Sequence, residues 1–470
     1  MHYPWWYVPV LTSPMLIAVV AVVHVLVSHY AVGGGLFLAV ETAFAYRTRD
    51  RKYLDYLKRH ARFFILLTVV FGAITGVGIW WTIGLASPLA TEVLIRTFVF
   101  GWATEYVFFV IEIVAAFVFY YFWGRLPEKT HVAVGWIYGL AAWMSLVLIT
   151  GITAFMLHPG KWLDPATRSF WTGFFNPQFL PQTIARTGGA LLLSSLYVYL
   201  HASLTIREQP LRDLIARRSA RPALLGAVLI SAGGLLWYAF LPQSAQAVLD
   251  RAAVLNVFML LIFALTGVVF LLLYLGPYRN PGWLSPGFAG ALTVFGIAAF
   301  STGEFIREAV RKPYVLYNVV LGNQIYPDEV GKFRQIGYLE GGTWTKAYVQ
   351  RHYTQVLDPA DPSKIDESKL LDPTVLSRAD QISLGEVLFQ YHCNDCHAVQ
   401  TGYSAVGPLV RGRPEAINLW TIEHLEQAHF FMPPWAGTPE EARLLAAYLT
   451  HIAPPRPEGM YPVAISRETK

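Results

Sequence analysis

Apolar residues run along this chain in eight long stretches, near 14–46, 61–86, 93–123, 132–157, 178–205, 222–241, 253–276 and 286–310. Each approaches or exceeds the ~20 residues that a helix needs to cross a bilayer. Several are longer than that minimum, which predicts tilt or extension beyond the lipid. The turns between them carry Pro and Gly, in "ASPLA", "GRLPEK", "LHPGKW", "REQP" and "GPYRNPG". After Pro313 the pattern changes. Residues 314–380 are polar, rich in Asp, Pro and Gly, and hold no spanning run; residues 381–455 read as a small helical domain. The expected fold is all-α: a polytopic bundle of about eight transmembrane helices over 1–313, an extracytoplasmic linker over 314–380, a helical domain over 381–455 and a tail over 456–470.

Composition supports the membrane reading, because only 14% of residues are charged, against about a quarter in soluble domains. The net charge of +5 is small and its basic residues cluster in short loops, so it points to no nucleic-acid partner. One set of alternate loops holds fifteen Lys and Arg, among them Arg49, Lys52, Arg125, Arg217 and Arg279; the other set holds Lys161, Arg168 and Arg251. Basic loops stay in the cytoplasm, so both termini are expected outside. The opening "MHYPWWYVPVLTSPM" has no basic n-region and no small-residue cleavage site, and the first apolar run reads as a retained helix. The small-residue run "GGG" at 33–35 offers a face against which a second membrane subunit could pack.

Both cysteines lie in "FQYHCNDCHAVQ", residues 389–400. Cys393, Cys396 and His397 form Cys-x-x-Cys-His, the attachment signature of a c-type haem. Two thioethers fix the porphyrin and the adjacent His supplies the proximal nitrogen. A zinc site wants more Cys or His at metal spacing, and a redox dithiol wants a βαβ context; neither is present. "SLGEVLFQYHCNDCH" reads as a helix running into the motif, followed by "VGPLV", "HFFMPPW" and a closing helix "TPEEARLLAAYLTHI". Together these resemble a small class I cytochrome c over 381–455. In that family a Met in a Pro-flanked loop is the sixth ligand, and Met432 in "FMPP" matches it. His424 and His429 are nearby competitors, and a core Met is the bland alternative. Haem c is attached outside the cytoplasm, where the loop charges independently place the C-terminus.

Ionisable residues within spans are costly and usually functional. The first span carries His24, His29 and Glu41, the third Arg96, Glu105 and Glu112, the fifth Arg186, and the eighth Glu304, Arg307 and Glu308. His24, Glu105, Arg186 and Glu304 all fall in the outer half. Imidazole and carboxylate at that depth suit iron ligation or a proton relay.

The order of "HVLVSHYAVGGGLFLAVET", "AITGVGIWW", "WATEYVFFVIEIVAAFVFYYFWGRL", "ITAFMLHPG" and "REAVRKPY" resembles subunit I of the cytochrome bd oxygen reductases over residues 10–320. That resemblance implies three haems near the outer face, reduction of O2 to water, protons drawn from the cytoplasm through Glu112 or Glu41, and a second, homologous membrane subunit. By position, His24 matches the first-helix haem ligand. His29, five residues on, sits about 140° around the helix and remains open as a ligand. Glu105, offset by one residue, and Glu112 match the third-helix glutamates of the active-site haem and a proton route. Glu304 lies three residues beyond the family's eighth-helix carboxylate, a displacement that one helical turn accommodates. Arg307, Glu308 and Arg311 form an ion-pair cluster or hold haem propionates.

Three departures stand out. Met259 matches the family's seventh-helix Met ligand, but Arg186 stands where a His should be, and arginine has no lone pair to donate. His201, on the same helix, lies near its inner end. The long outer loop of the quinol-binding members is only "LPQSAQAVLDR" here, so the quinol site is expected to be missing. A haem c domain stands in place of the ninth helix. These departures imply the branch that carries a C-terminal haem c and takes electrons from a soluble or membrane-bound cytochrome c. The implied cofactors are one covalent haem c and two or three non-covalent haems, b with or without d. The implied setting is a bacterial or archaeal cytoplasmic membrane, multi-pass. Two rivals remain at this point: an electron-transfer subunit relaying between the quinone pool and periplasmic cytochromes, and a non-catalytic sensor or assembly subunit.

Overall fold

A computed structural model describes residues 4–453, and the expected tail over 456–470 lies outside them. The chain folds as two compact units, one spanning Ile17–Val320, the other formed by Leu321 onward together with the chain start through Leu16.

The first unit holds eight long helices: α1 (Ser13–Thr48), α2 (Arg51–Ala86), α3 (Pro88–Tyr121), α4 (Glu128–Phe155), α5 (Phe179–Thr205), α6 (Gln209–Ala239), α7 (Ala253–Arg279) and α8 (Pro286–Ala309). All but α5 are long and apolar enough to cross a bilayer, and the chain is an integral membrane protein. Helix starts are written locally. Pro88 and Pro286 open α3 and α8, where a missing N–H costs nothing. Asp50 caps α2 by accepting the Tyr53 N–H at 3.0 Å. A π-helical turn over Leu66–Phe71 interrupts α2, and Phe98 kinks α3 with φ −120° and ψ 28°.

The centre of the bundle is α5. Its Gly188 faces Gly226 of α6 so closely that a Cβ on Gly188 would lie 2.6 Å from the Gly226 carbonyl oxygen. Such small-residue crossings are how membrane helices approach without a hydrophobic drive between them. Ala190 of α5 likewise meets Gly33 of α1. This corrects one expectation. The run at 33–35 packs inside its own bundle, Gly33 on Ala190, Gly34 on Phe64 of α2 and Gly35 on Tyr138 of α4, rather than offering itself to a second subunit.

Two helices begin earlier than the apolar runs predict, α2 at residue 51 instead of 61 and α6 at 209 instead of 222. Their first turns are amphipathic: Lys58, Arg59 and Arg62 are exposed while Tyr56, Leu57, His60 and Ala61 are buried. Ion pairs gather the basic loops at one end of this bundle, Arg49 to Glu128 at 2.6 Å and Lys52 to Glu208 at 2.6 Å. We call this the basic end.

The second unit overturns the expectation of a linker. Its helices are α9 (Val330–Gly341), α10 (Thr345–His352), α11 (Arg378–His392), α12 (Glu415–Glu423) and α13 (Pro439–Ile452). Phe333, Tyr338, Val349, Val356 and Leu370, all from the supposed linker, share one core with Leu384, Leu388, Phe389, Leu445 and Tyr448. Helices α11 and α13 cross where Gly385 abuts the Leu444 carbonyl. The chain start straps across the same unit: Trp5 meets Tyr391 edge-on with ring centres 4.6 Å apart, and Tyr403 N–H donates to the Val10 carbonyl at 2.9 Å.

Candidate functional site

Three histidines of the expected haem sites share one feature, the nitrogen on which the ring proton is held. In α1, His24 Nδ1 lies 3.1 Å from Thr75 Oγ1 of α2. The Thr75 hydroxyl already donates to the Phe71 and Gly72 carbonyls at 3.0 and 3.1 Å. It therefore accepts from His24 Nδ1–H, and the lone pair is left on Nε2. His29 Nδ1 lies 3.0 Å from the Val25 carbonyl, which can only accept, so its lone pair is also on Nε2. That His29 Nε2 is buried without a hydrogen-bond partner. Gly189 of α5 faces the ring: a Cβ there would stand 3.7 Å from Nε2. Phe300 of α8 meets the ring edge-on at 5.4 Å. In the second unit, His397 Nδ1 donates to the Ser404 carbonyl at 2.7 Å, which again places the lone pair on Nε2. Fixing a tautomer through the second nitrogen is how proteins prepare an imidazole for a metal.

The carboxylates are placed by α3 and α8. Glu105 accepts from Ser145 Oγ of α4 at 2.6 Å. Glu112, two turns on, is an electrostatic neighbour of Glu105. Glu304 is paired with Arg307 at 2.8 Å, and Glu308 is paired with Arg311. Arg186 and His29 are both electrostatic neighbours of Glu304, so the structure gathers His29, Arg186 and Glu304 from three helices. Met259 sits half-buried on α7, next to Phe258, whose ring packs on Phe305 of α8 at 4.9 Å. Glu41, an expected proton carrier, is locked: it accepts from Tyr53 at 2.7 Å and holds Arg218 through two hydrogen bonds, one of 3.0 Å.

In the second unit, α11 delivers Cys393 as its C-cap, and neither Cys393 nor Cys396 is in a disulfide. Burial, with Cys396 beside it, pushes the Cys393 thiol up to about 12. Met432 is half-buried in the loop before α13, its N–H donating to the His429 carbonyl at 2.8 Å. His424 stacks on Trp420 at 4.6 Å and bonds that residue's carbonyl at 2.8 Å.

Sequence reasoning missed Thr75, Ser145 and Ser404, the residues that orient the expected ligands. It also missed His60. The spacing of Tyr56, His60 and Phe64 at i, i+4, i+8 was the available signal of a buried stripe.

Residues 13–240 match the family model of cytochrome bd terminal oxidase subunit I. The matched segment takes in α1 to α6; α7 and α8, which carry Met259 and Glu304, lie beyond it. No curated protein matches the chain. A similar solved structure is the bd oxidase from Geobacillus thermodenitrificans, at 19% identity, covering 66% of this chain and 89% of that chain, with a TM-score of 0.57. The first unit therefore has the fold of a bd-type membrane subunit.

The residues fit haem unequally. His24, His29 and His397 each present a lone pair on Nε2, and Glu105 and Glu304 are carboxylates beside hydrogen-bond donors. Arg186 does not fit as an axial ligand, since a guanidinium has no lone pair to give.

Proposed function

We propose that this chain is the haem-bearing subunit of a bd-type oxygen reductase, taking electrons from a cytochrome c donor through its own haem c and reducing O2 to water. The bd subunit I match supports the oxidase class. The donor assignment rests above all on His397, whose Nδ1–H is held by the Ser404 carbonyl and which closes the Cys-x-x-Cys-His motif, whose cysteines are not in a disulfide.

In this reading Cys393 and Cys396 would carry the thioethers of haem c, and His397 Nε2 and Met432 would hold its iron. His24 and His29, with Glu105 and Glu304, would be the ligand set for the membrane haems, b with or without d. Haem iron, when bound, supplies the one-electron transfers and the oxygen chemistry. Thr75 holds His24 in the ligating tautomer. Ser145 orients Glu105, and Glu112 stands one step behind it as a proton store. A second membrane subunit completes the complex, and both termini lie outside the cytoplasm.

The deciding measurement is oxygen uptake by the purified, haem-loaded complex, given reduced soluble cytochrome c in one sample and a quinol analogue in another. Rapid uptake with cytochrome c alone is expected. Uptake with quinol alone would overturn the donor assignment. Arg186, in place of a ligating His, favours a second reading as a relay between quinone and outer cytochromes. A haem that binds carbon monoxide would count against that relay.

A further inference from the structure

Close to the basic end, three helices bring together a polar chain that no part of the haem sites uses. His60 of α2 is fully buried. Its Nε2 lies 3.0 Å from the Tyr30 hydroxyl of α1, and its Nδ1 lies 3.2 Å from Nδ1 of His201 on α5. Tyr30 is also fully buried, whereas His201 is half-exposed. The chain therefore runs from an accessible imidazole to a hydroxyl in the core. Tyr56 stacks on His60 and Phe63 stacks on His201, so both rings are held in register.

Two nitrogens facing each other at hydrogen-bond distance require one to donate and the other to accept. Both choices satisfy all three residues. In one, His201 Nδ1–H donates to His60 Nδ1, and His60 Nε2–H donates to the Tyr30 oxygen. In the other, the Tyr30 hydroxyl donates to His60 Nε2, and His60 Nδ1–H donates to His201 Nδ1. The first becomes the second when two protons move along these hydrogen bonds while His201 Nε2 gains a proton and Tyr30 gives up its original one. A purely structural contact needs one such arrangement; a conduit needs both.

We propose that His201, His60 and Tyr30 form a proton inlet from the basic end of the membrane unit, a role that rests on the oxygen-reductase reading. A proton binds His201 Nε2. His201 passes its Nδ1 proton to His60 Nδ1, His60 passes its Nε2 proton to the Tyr30 oxygen, and Tyr30 releases its own hydroxyl proton onward. One proton enters and one leaves. Both rings end neutral with the proton on the other nitrogen. On the far side of Tyr30 lies Tyr138, an electrostatic neighbour of both Tyr30 and Glu112. Glu41 is not an alternative inlet, because Arg218 and Tyr53 hold its carboxylate.

The test uses the haem-loaded complex with Tyr30→Phe, His60→Phe and His201→Ala. Tyr30→Phe keeps the ring packing and removes only the hydroxyl. We expect oxygen turnover to fall at least tenfold in each, with haem content and the reduced-minus-oxidised spectrum unchanged. Added imidazole should restore His201→Ala in a concentration-dependent way, which loss of packing would not allow. Turnover of Tyr30→Phe and His201→Ala within twofold of wild type would overturn the inlet. So would a loss in His201→Ala that imidazole does not relieve. If the wild-type complex consumes no oxygen, the oxidase reading fails on its own. The inlet is then judged by proton uptake on chemical reduction, followed with a pH-indicator dye. Slower uptake in the variants supports it and equal uptake overturns it.

Discussion

At the residue scale the recurring device is one group fixing the proton of another. Thr75, the Val25 carbonyl and the Ser404 carbonyl each hold a histidine proton on Nδ1. Ser404 acts chiefly through its backbone carbonyl at 2.7 Å, with its hydroxyl also 3.3 Å from His397 Nδ1. Thr75 acts through its hydroxyl, so Thr75→Val should disturb the haem that the proposed function assigns to His24 while preserving shape. The expected outcome is a shifted Soret band with the fold intact, measured by absorbance and circular dichroism. Glu441 shows a different balance. It accepts backbone N–H groups from Tyr338, Leu339 and Thr438 at 2.8, 2.7 and 3.1 Å, yet burial pushes its carboxyl up to about 7. Below its ordinary value of 4.5 the group is protonated in folded and unfolded chains alike. Above it, the unfolded chain ionises first. The second unit should therefore lose stability as pH rises from 4.5 to about 7. Glu441→Gln should abolish that slope and cost about 1–3 kcal/mol, because an amide NH2 then faces a backbone N–H. Thermal melts across this pH range check both.

At the scale of elements, packing depends on which glycines sit in crossings. Gly226 of α6 lies against the Gly188 carbonyl of α5 at 2.5 Å from a Cβ position, whereas Gly234 of the same helix has open space around it. Gly226→Val should force α5 and α6 apart and cost about 1–3 kcal/mol by overpacking. Gly234→Ala should be neutral or stabilise by up to about 1 kcal/mol through helix propensity. Thermal stability in detergent separates the two. The extents of α5 and α8 were legible in the sequence because apolar composition continues to their ends. The starts of α2 and α6 were not. There one face is buried and the other is in water, so averaged hydrophobicity falls although the helix continues.

For the whole molecule, the ion pairs Arg49–Glu128 and Lys52–Glu208 join loops but are largely exposed, with Arg49 77% and Lys52 70% accessible. Each is worth about 0–1 kcal/mol, and Arg49→Ala should change the melting temperature in detergent little. Glu41 and Arg218 are a different case, because Glu41 is buried and Arg218 also lies 3.4 Å over the Phe44 ring. Glu41→Ala strands a cation among α1, α2 and α6 and should cost about 1–3 kcal/mol, measured the same way. Orientation in the membrane is checked by a cysteine at Arg125 or Arg279. An impermeant thiol reagent should label it in inverted vesicles and not in intact cells; labelling in intact cells would reverse the proposed topology.

The sequence by itself determined what local pattern can encode. Apolar length writes the spans, loop charge writes a basic set and a poor set, and Cys393, Cys396 and His397 form a signature within five residues. Only the tertiary structure decided which distant polar groups meet. His60 and His201 are 141 residues apart, and Glu41 and Arg218 are 177 apart. Only the tertiary structure, too, showed that the polar stretch after residue 320 folds into the core of the second unit. The physical reason is the range of the signal. Helical periodicity fixes neighbours three and four residues away, while the order and rotation of whole helices fix every longer contact.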